Sequence, residues 1–182
     1  MIKSATARYA GTGLRFTARS GSGHEVVLDN GEGDTGPRPV ELLLLGQAGC
    51  TAMDVLSILQ KKRQEVTAYQ VAVTAEEHEG NPSYFTRADV IHEVEGPDLE
   101  EAAVRRAIEL SATKYCSVAA MLSAGTVEMH HRYRITGPGM ATPIEGEVIV
   151  TGPHADPDHM AGPAAAAPAS GELPPSSPAS AG

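Results

Sequence analysis

Between residues 3 and 29 the chain breaks into three short runs, 3–10, 13–19 and HEVVLD at 24–29, separated by glycine-rich turns. In the third, Val27 faces opposite to Val26 and Leu28, the alternation of a strand with one solvated face. Three short antiparallel strands are therefore expected. NGEGDTGPRP at 30–39 repeats the residues that favour turns and reads as a loop. The pattern then changes. From Glu41 to about residue 62 the chain is apolar on most faces, with an acid at its start and Lys61, Lys62 and Arg63 at its end, as the helix dipole selects. This predicts a central helix rather than a surface one.

EVTAYQVAVTA at 65–75 alternates again and predicts a strand with one face packed more deeply. A second strand is expected over 84–96, after a turn at Gly80-Asn81-Pro82. Asp98 is expected to cap or begin another helix, which continues with a bend through ELSATKYCSVAAML until Gly125 stops it. TVEMHHRYRI at 126–135 supplies a last strand. Strands followed by a buried helix, two strands, a helical region and a final strand give an α+β architecture. No glycine-rich nucleotide-binding loop follows any of the strands.

From Thr151 the chain becomes a Pro/Ala/Ser/Gly mixture with no helix or strand period. It has little large apolar surface to offset its ordering entropy, so one domain over 1–150 and a flexible tail over 151–182 are expected. All fourteen Lys and Arg precede the tail, against twenty of the twenty-three Asp and Glu, which leaves the body acidic. That balance offers no general attraction for nucleic acid or an anionic membrane. The amino terminus carries no apolar run of the secretory kind, and no later segment is expected to reach membrane-spanning length, so a cytoplasmic location is the default expectation.

Two cysteines are too few for a secreted disulfide scaffold, and they are not spaced as a metal-binding pair. On the long helix, Gly46, Cys50, Asp54 and Ser57 share a stripe, because intervals of three and four residues return to one face. Gly46 leaves room for a close approach to the thiol. Asp54 is a difficulty, since a neighbouring carboxylate opposes thiolate formation. Cys116 lies in KYCSVAAML beside Ser117 and close to Lys114, on a face made small by Ala112, Ala119 and Ala120. The residues themselves allow two unrelated core cysteines, a reactive pair, or a metal-binding or single-thiol role. Only a fold that crosses the two segments could pair them.

PVELLLLGQAGCTAMDVLSILQKKRQ at 39–64 and LSATKYCSVAAML at 110–122 resemble the two cysteine segments of the OsmC/Ohr superfamily. SGHEVVLD at 22–29 is similar to a segment of an uncharacterised OsmC-like branch of it, and the likeness extends over roughly 1–136. The resemblance implies an intertwined α+β homodimer, with antiparallel sheets around two long buried helices. It also implies that Cys50 attacks a small organic hydroperoxide and that Cys116 resolves the sulfenic acid into an intramolecular disulfide. A thiol or dihydrolipoyl reductant would restore the pair, with no metal or organic cofactor. Superfamily peroxidases place a glutamate ten residues before the first cysteine, where this chain has Val40. Glu41 is one residue away and about 100 degrees round the helix. They also use an arginine from the amino-terminal strands, for which Arg15, and after it Arg19, are the candidates. The alternative reading is a nonperoxidatic dimer that binds a small apolar ligand or responds to redox state, and a third is a purely structural dimer.

The remaining polar features carry blander expectations. His24 suits a structural role at its turn, and His130 and His131 face opposite ways if their segment is a strand. His154 and His159, with Asp156 and Asp158, lie in the tail. The basic run 61–63 compensates a helix dipole, and Tyr115 either packs or lines the Cys116 pocket.

Overall fold

The computed structural model of the protein describes residues 2–80, 83–125 and 127–150. Two sheets and a helical layer emerge in the expected order. Strands β1 (Ala5–Tyr9), β2 (Phe16–Ser20) and β3 (Glu25–Leu28) form an antiparallel three-stranded sheet. Gly11, Gly13 and Gly23 adopt positive φ in its two turns, a region closed to most side chains. His24 belongs to the second turn, where its backbone carbonyl accepts from the Ser20 amide and its Nδ1 lies 3.2 Å from the Ser22 hydroxyl. Every residue of β1 is exposed, so this sheet buries little within its own chain.

Helix α1 runs from Glu41 to Lys61. A carboxylate oxygen of Glu41 accepts from the Arg38 backbone amide at 2.8 Å and the other from the Arg38 guanidinium at 3.2 Å, which ties the loop to the helix start. Burial on most faces is not observed within the chain. Gln47, Thr51, Val55 and Leu59, four residues apart, form the one buried stripe, while Leu45 is 59% and Met53 76% exposed. Among the described residues α1 is also long and apolar enough to span a membrane, contrary to the sequence expectation. A helix that packs inside a soluble fold meets the same criterion.

The second sheet holds β4 (Ala68–Glu77), β5 (Phe85–Glu95), β6 (Glu128–Thr136) and β7 (Ile144–Val150), in that order. It is mixed rather than antiparallel throughout. β5 and β6 run parallel because the helical segment crosses over between them, whereas β4–β5 and β6–β7 are antiparallel. The packed face of β4 is that of Tyr69, Val71, Val73 and Ala75. β7 lies beyond the last strand read from the sequence. The turn at 80–82 is only partly among the described residues, and the tail from 151, with His154 and His159, is outside them.

Asp98 does not cap a helix; it takes a positive φ in the turn before α2 (Glu101–Leu110), whose N-cap is Glu100. The second helix is not one long helix. A π-helical turn, Ser111–Tyr115, follows α2, and α3 (Ser117–Ser123) starts afresh after Cys116. The core forms between α1, α2 and the inner face of the second sheet, where Val55, Leu59, Val90, Val104, Ile108, Met129 and Ile135 are fully buried. Such burial stabilises each side chain by roughly 1.5–3 kcal/mol. On the outer face Arg87, Asp89, Arg132 and Glu147 form a chain of ion pairs across β5, β6 and β7, and His130 Nδ1 lies 2.9 Å from Glu147 Oε1.

His130 and His131 do face opposite ways, and the inner one has company. Tyr69 hydroxyl lies 2.7 Å from His92 Nδ1, and His92 Nε2 lies 3.2 Å from His131 Nδ1, with both histidines fully buried. Burial holds the His92 imidazole well below its ordinary pKa, and burial, helped by the nearby His130, depresses His131 to about 4. Both rings are thus neutral in the native state at neutral pH. Once unfolded they take up protons below pH 6.5, so acid favours the unfolded chain. Urea-unfolding free energy is expected to fall as pH drops from 6.5 towards 4, by roughly 3 kcal/mol on account of His131 alone. His131→Gln should flatten this slope; an unchanged slope would contradict the assignment.

Candidate functional site

Each thiol is positioned by a different local device. Cys50 sits mid-way along α1, partly exposed, with Asp54 one turn later on the same face. Cys116 owes its position to the π-helical turn. Its amide donates to the Ser111 carbonyl five residues back, and its own backbone then turns extended (φ −71°, ψ 103°). In that conformation Sγ accepts from the Ala119 amide at 3.3 Å, so the thiol itself caps α3. Regular helix through residue 122 would instead have turned Cys116 onto another face, since each added residue rotates the stripe by about 100 degrees.

The crossing of the two segments brings Cys50, Asp54 and Cys116 together: the two sulfurs and a carboxylate oxygen lie within 4.8 Å of one another. Both cysteines are free thiols. Burial, and then the hydrogen bond it shares with Cys50, push the Cys116 thiol up to about 12, outweighing the Ala119 amide. Cys116 is therefore held as a protonated thiol at neutral pH, with 2% of its surface accessible.

Three polar residues not singled out in the sequence surround the thiols. Ser111 donates its hydroxyl to Asp54 Oδ2 at 3.2 Å and lies 3.0 Å from the Thr51 hydroxyl. Gln47 is completely buried; its Oε1 faces Cys116 Sγ at 3.9 Å and its Nε2 has no hydrogen-bond partner. One signal could have found Gln47 and Thr51: both are polar residues on the stripe that α1 buries, where unsatisfied polar groups are costly. Ser111 offered no such signal, because the π-helical turn sets its direction.

Other expectations fare differently. A methyl group on Gly46 would meet Val118 at an ordinary 3.8 Å, so the glycine is not required for the crossing. Ser57 makes no hydrogen bond to these groups. Tyr115 is half exposed beneath the Lys114 ammonium, 5.6 Å from the ring centroid. Glu41 is engaged by Arg38. Arg15 lies beside Asp29, whose carboxylate is held below its usual range by the Thr35 hydroxyl first, then by the Asn30 amide, with Arg15 adding to the effect. Its Nε is buried without a hydrogen-bond partner, and no hydrogen bond joins Arg15 or Arg19 to Cys50 within the chain. A cavity of about 570 Å³ is lined by Leu14, Phe16, Leu28, Arg38 and Pro39 among others, and Arg15 is not part of its lining.

The family model described as OsmC-like protein matches residues 31–132, which include both cysteines. Protein YhfA of Escherichia coli K12 is 46% identical over 123 residues, spanning 68% of this chain and 91% of that one. Among solved structures, a hypothetical protein of Aquifex aeolicus superposes with a TM-score of 0.63 at 28% identity, covering 75% of this chain and 95% of that one. An organic hydroperoxide resistance protein from Legionella pneumophila gives 0.52 at 13% identity over 75% and 96% of the two chains, a likeness of fold alone.

Proposed function

The chain belongs to the family of OsmC-like proteins, and from that premise we propose that it reduces small organic hydroperoxides through its two thiols. One observation carries the reading: two free thiols 66 positions apart in sequence meet, the outer one partly exposed and the inner one buried. Cys50, as thiolate, attacks the terminal peroxide oxygen, and the O–O bond breaks. The alcohol leaves with a proton, and Cys50 becomes a sulfenic acid. Cys116 then attacks that sulfur, the S–O bond breaks, and water leaves as the disulfide forms. Two equivalents of a thiol, or one dihydrolipoyl group, return both cysteines to thiols. As a protonated thiol Cys116 stays out of competition for peroxide, and in the second step it gives up its proton to the Cys50 oxygen, which leaves as water. The unspent amide hydrogens of Gln47 support the reading as donors to the departing oxygen.

The reading includes a homodimer. Leu43, Leu45 and Met53 on α1, which carries Cys50, and Met121 on α3, which Cys116 caps, are exposed apolar side chains, and β1 is exposed throughout. A second copy packed on these surfaces would bury them, and it would offer Arg15 a thiol to activate across the interface. Light scattering should give twice the chain mass, with Met53→Lys shifting the protein toward monomer; a monomeric wild type would remove the dimer from the account.

A second reading has its own support in the 570 Å³ cavity, whose lining suits a small apolar ligand. Peroxide consumption separates the two. Cys50→Ser should lose all turnover of an organic hydroperoxide. Cys116→Ser should still form a sulfenic acid that dimedone traps, without the intramolecular disulfide. Arg15→Ala should slow the first step at least about 10-fold; an unchanged rate would take Arg15 out of the site. Equal rates for wild type and Cys50→Ser would exclude the peroxidase and leave the ligand-binding reading.

A further inference from the structure

The thiol site contains a group that peroxide chemistry does not employ. Asp54 places a carboxylate oxygen within 4.8 Å of both sulfurs, and neither the attack on peroxide nor the closing of the disulfide gives it a part. The same three groups around a divalent cation would support rather than oppose one another. We propose that Cys50, Asp54 and Cys116 form a thiolate–carboxylate site for one Zn²⁺ ion per chain.

Geometry supports this in three respects. Zinc holds sulfur at about 2.3 Å and carboxylate oxygen at about 2.0–2.2 Å in a tetrahedron, which sets its donors roughly 3.5–3.8 Å apart. The observed separations need only a small contraction to meet that spacing. Cys50 and Asp54 are four residues apart on one helix, the interval at which two side chains converge on one ion. Cys116 completes the trio from the far side of the crossing.

The surroundings are those of a held donor set. The Ser111 hydroxyl donates to Asp54 Oδ2 and is itself within 3.0 Å of Thr51, which fixes the carboxylate's direction. Gln47 presents Oε1 to Cys116 while its Nε2 has no partner. Once Cys116 is a metal-bound thiolate, a half-turn of that amide replaces the acceptor by the idle donor, which is what a thiolate needs. Cys50 and Asp54 are partly exposed, so an ion can reach the site from solvent. Two soft sulfurs select zinc over magnesium or calcium.

Binding leaves both sulfurs at the same oxidation level. Each thiol gives its proton to solvent, each sulfur donates an electron pair to the ion, and a water molecule takes the fourth position. Zinc and peroxide therefore exclude one another, and disulfide formation must expel the metal. The inference does not rest on peroxide turnover, because coordination needs only the three donors.

The test is titration of the reduced full-length protein with zinc against a chromophoric chelator, with native mass spectrometry counting the ions. One zinc per chain is expected, lost in Cys50→Ser and bound at least about 10-fold more weakly by Asp54→Asn. Ser57→Ala, on the same helix face but outside the trio, should bind as wild type does, which separates ligand loss from general damage to α1. Less than one zinc per chain at free zinc on the order of tens of micromolar, or an Asp54→Asn affinity equal to wild type, would overturn the proposal. A protein inert to peroxide that binds zinc in this way leaves it standing; turnover of peroxide without zinc binding removes it alone.

Discussion

The hydrogen bond from the Ser111 hydroxyl to the Asp54 carboxylate joins the two segments that carry the thiols. It is reinforced by the Thr51–Ser111 contact, and both lie beside a core otherwise built from Val, Leu, Ile and Met. Apolar packing between α1 and α2 supplies most of the attraction, but such contacts are non-directional and tolerate sliding. A polar bridge between helices is different, because moving either partner strands a buried donor or acceptor at a cost of about 1–3 kcal/mol. The bridge thus fixes the register in which Cys50 and Cys116 meet.

That register would be of little use without the π-helical turn. Ser111 points back to α1 from its start, and Cys116 leaves its end in an extended conformation that lets the thiol cap α3. One break in helical regularity therefore sets both the bridge and the second sulfur. The cost is a set of polar groups inside the fold, and Gln47 Nε2 remains unsatisfied there. Unpaired polar atoms in a core are uncommon and gather where chemistry is done. His131 Nε2, at the inner face of the second sheet, is a further unpaired atom, reached through a separate histidine pair and not through the thiols.

Much of this was legible beforehand because the signals were local. Glu41 marked the start of α1, glycines marked the turns of the first sheet, and the alternation over 65–75 marked β4 as a strand with one deeper face, though not which face. Cys50 and Asp54 shared a face by helical arithmetic, and the resemblance brought Cys116 to them. What escaped depended on partners distant in sequence. β7 follows a stretch rich in Gly and Pro and is held by pairing with β6, where Gly146 makes room for the Tyr133 hydroxyl. The His92–His131 contact arises from the parallel register of β5 against β6. The exposed flanks of α1 were read as buried because apolar content alone does not tell which faces of a helix the rest of the chain covers.

If the two thiols act as one redox unit, as proposed, a single oxidising equivalent converts both at once. The reduced protein would be treated with one equivalent of an organic hydroperoxide and analysed by nonreducing peptide mass mapping. The account predicts loss of two hydrogens per chain and a Cys50–Cys116 peptide from within one chain. Cys50 carried on to sulfinic acid with Cys116 still free, or a disulfide linking Cys50 of two chains, would contradict it.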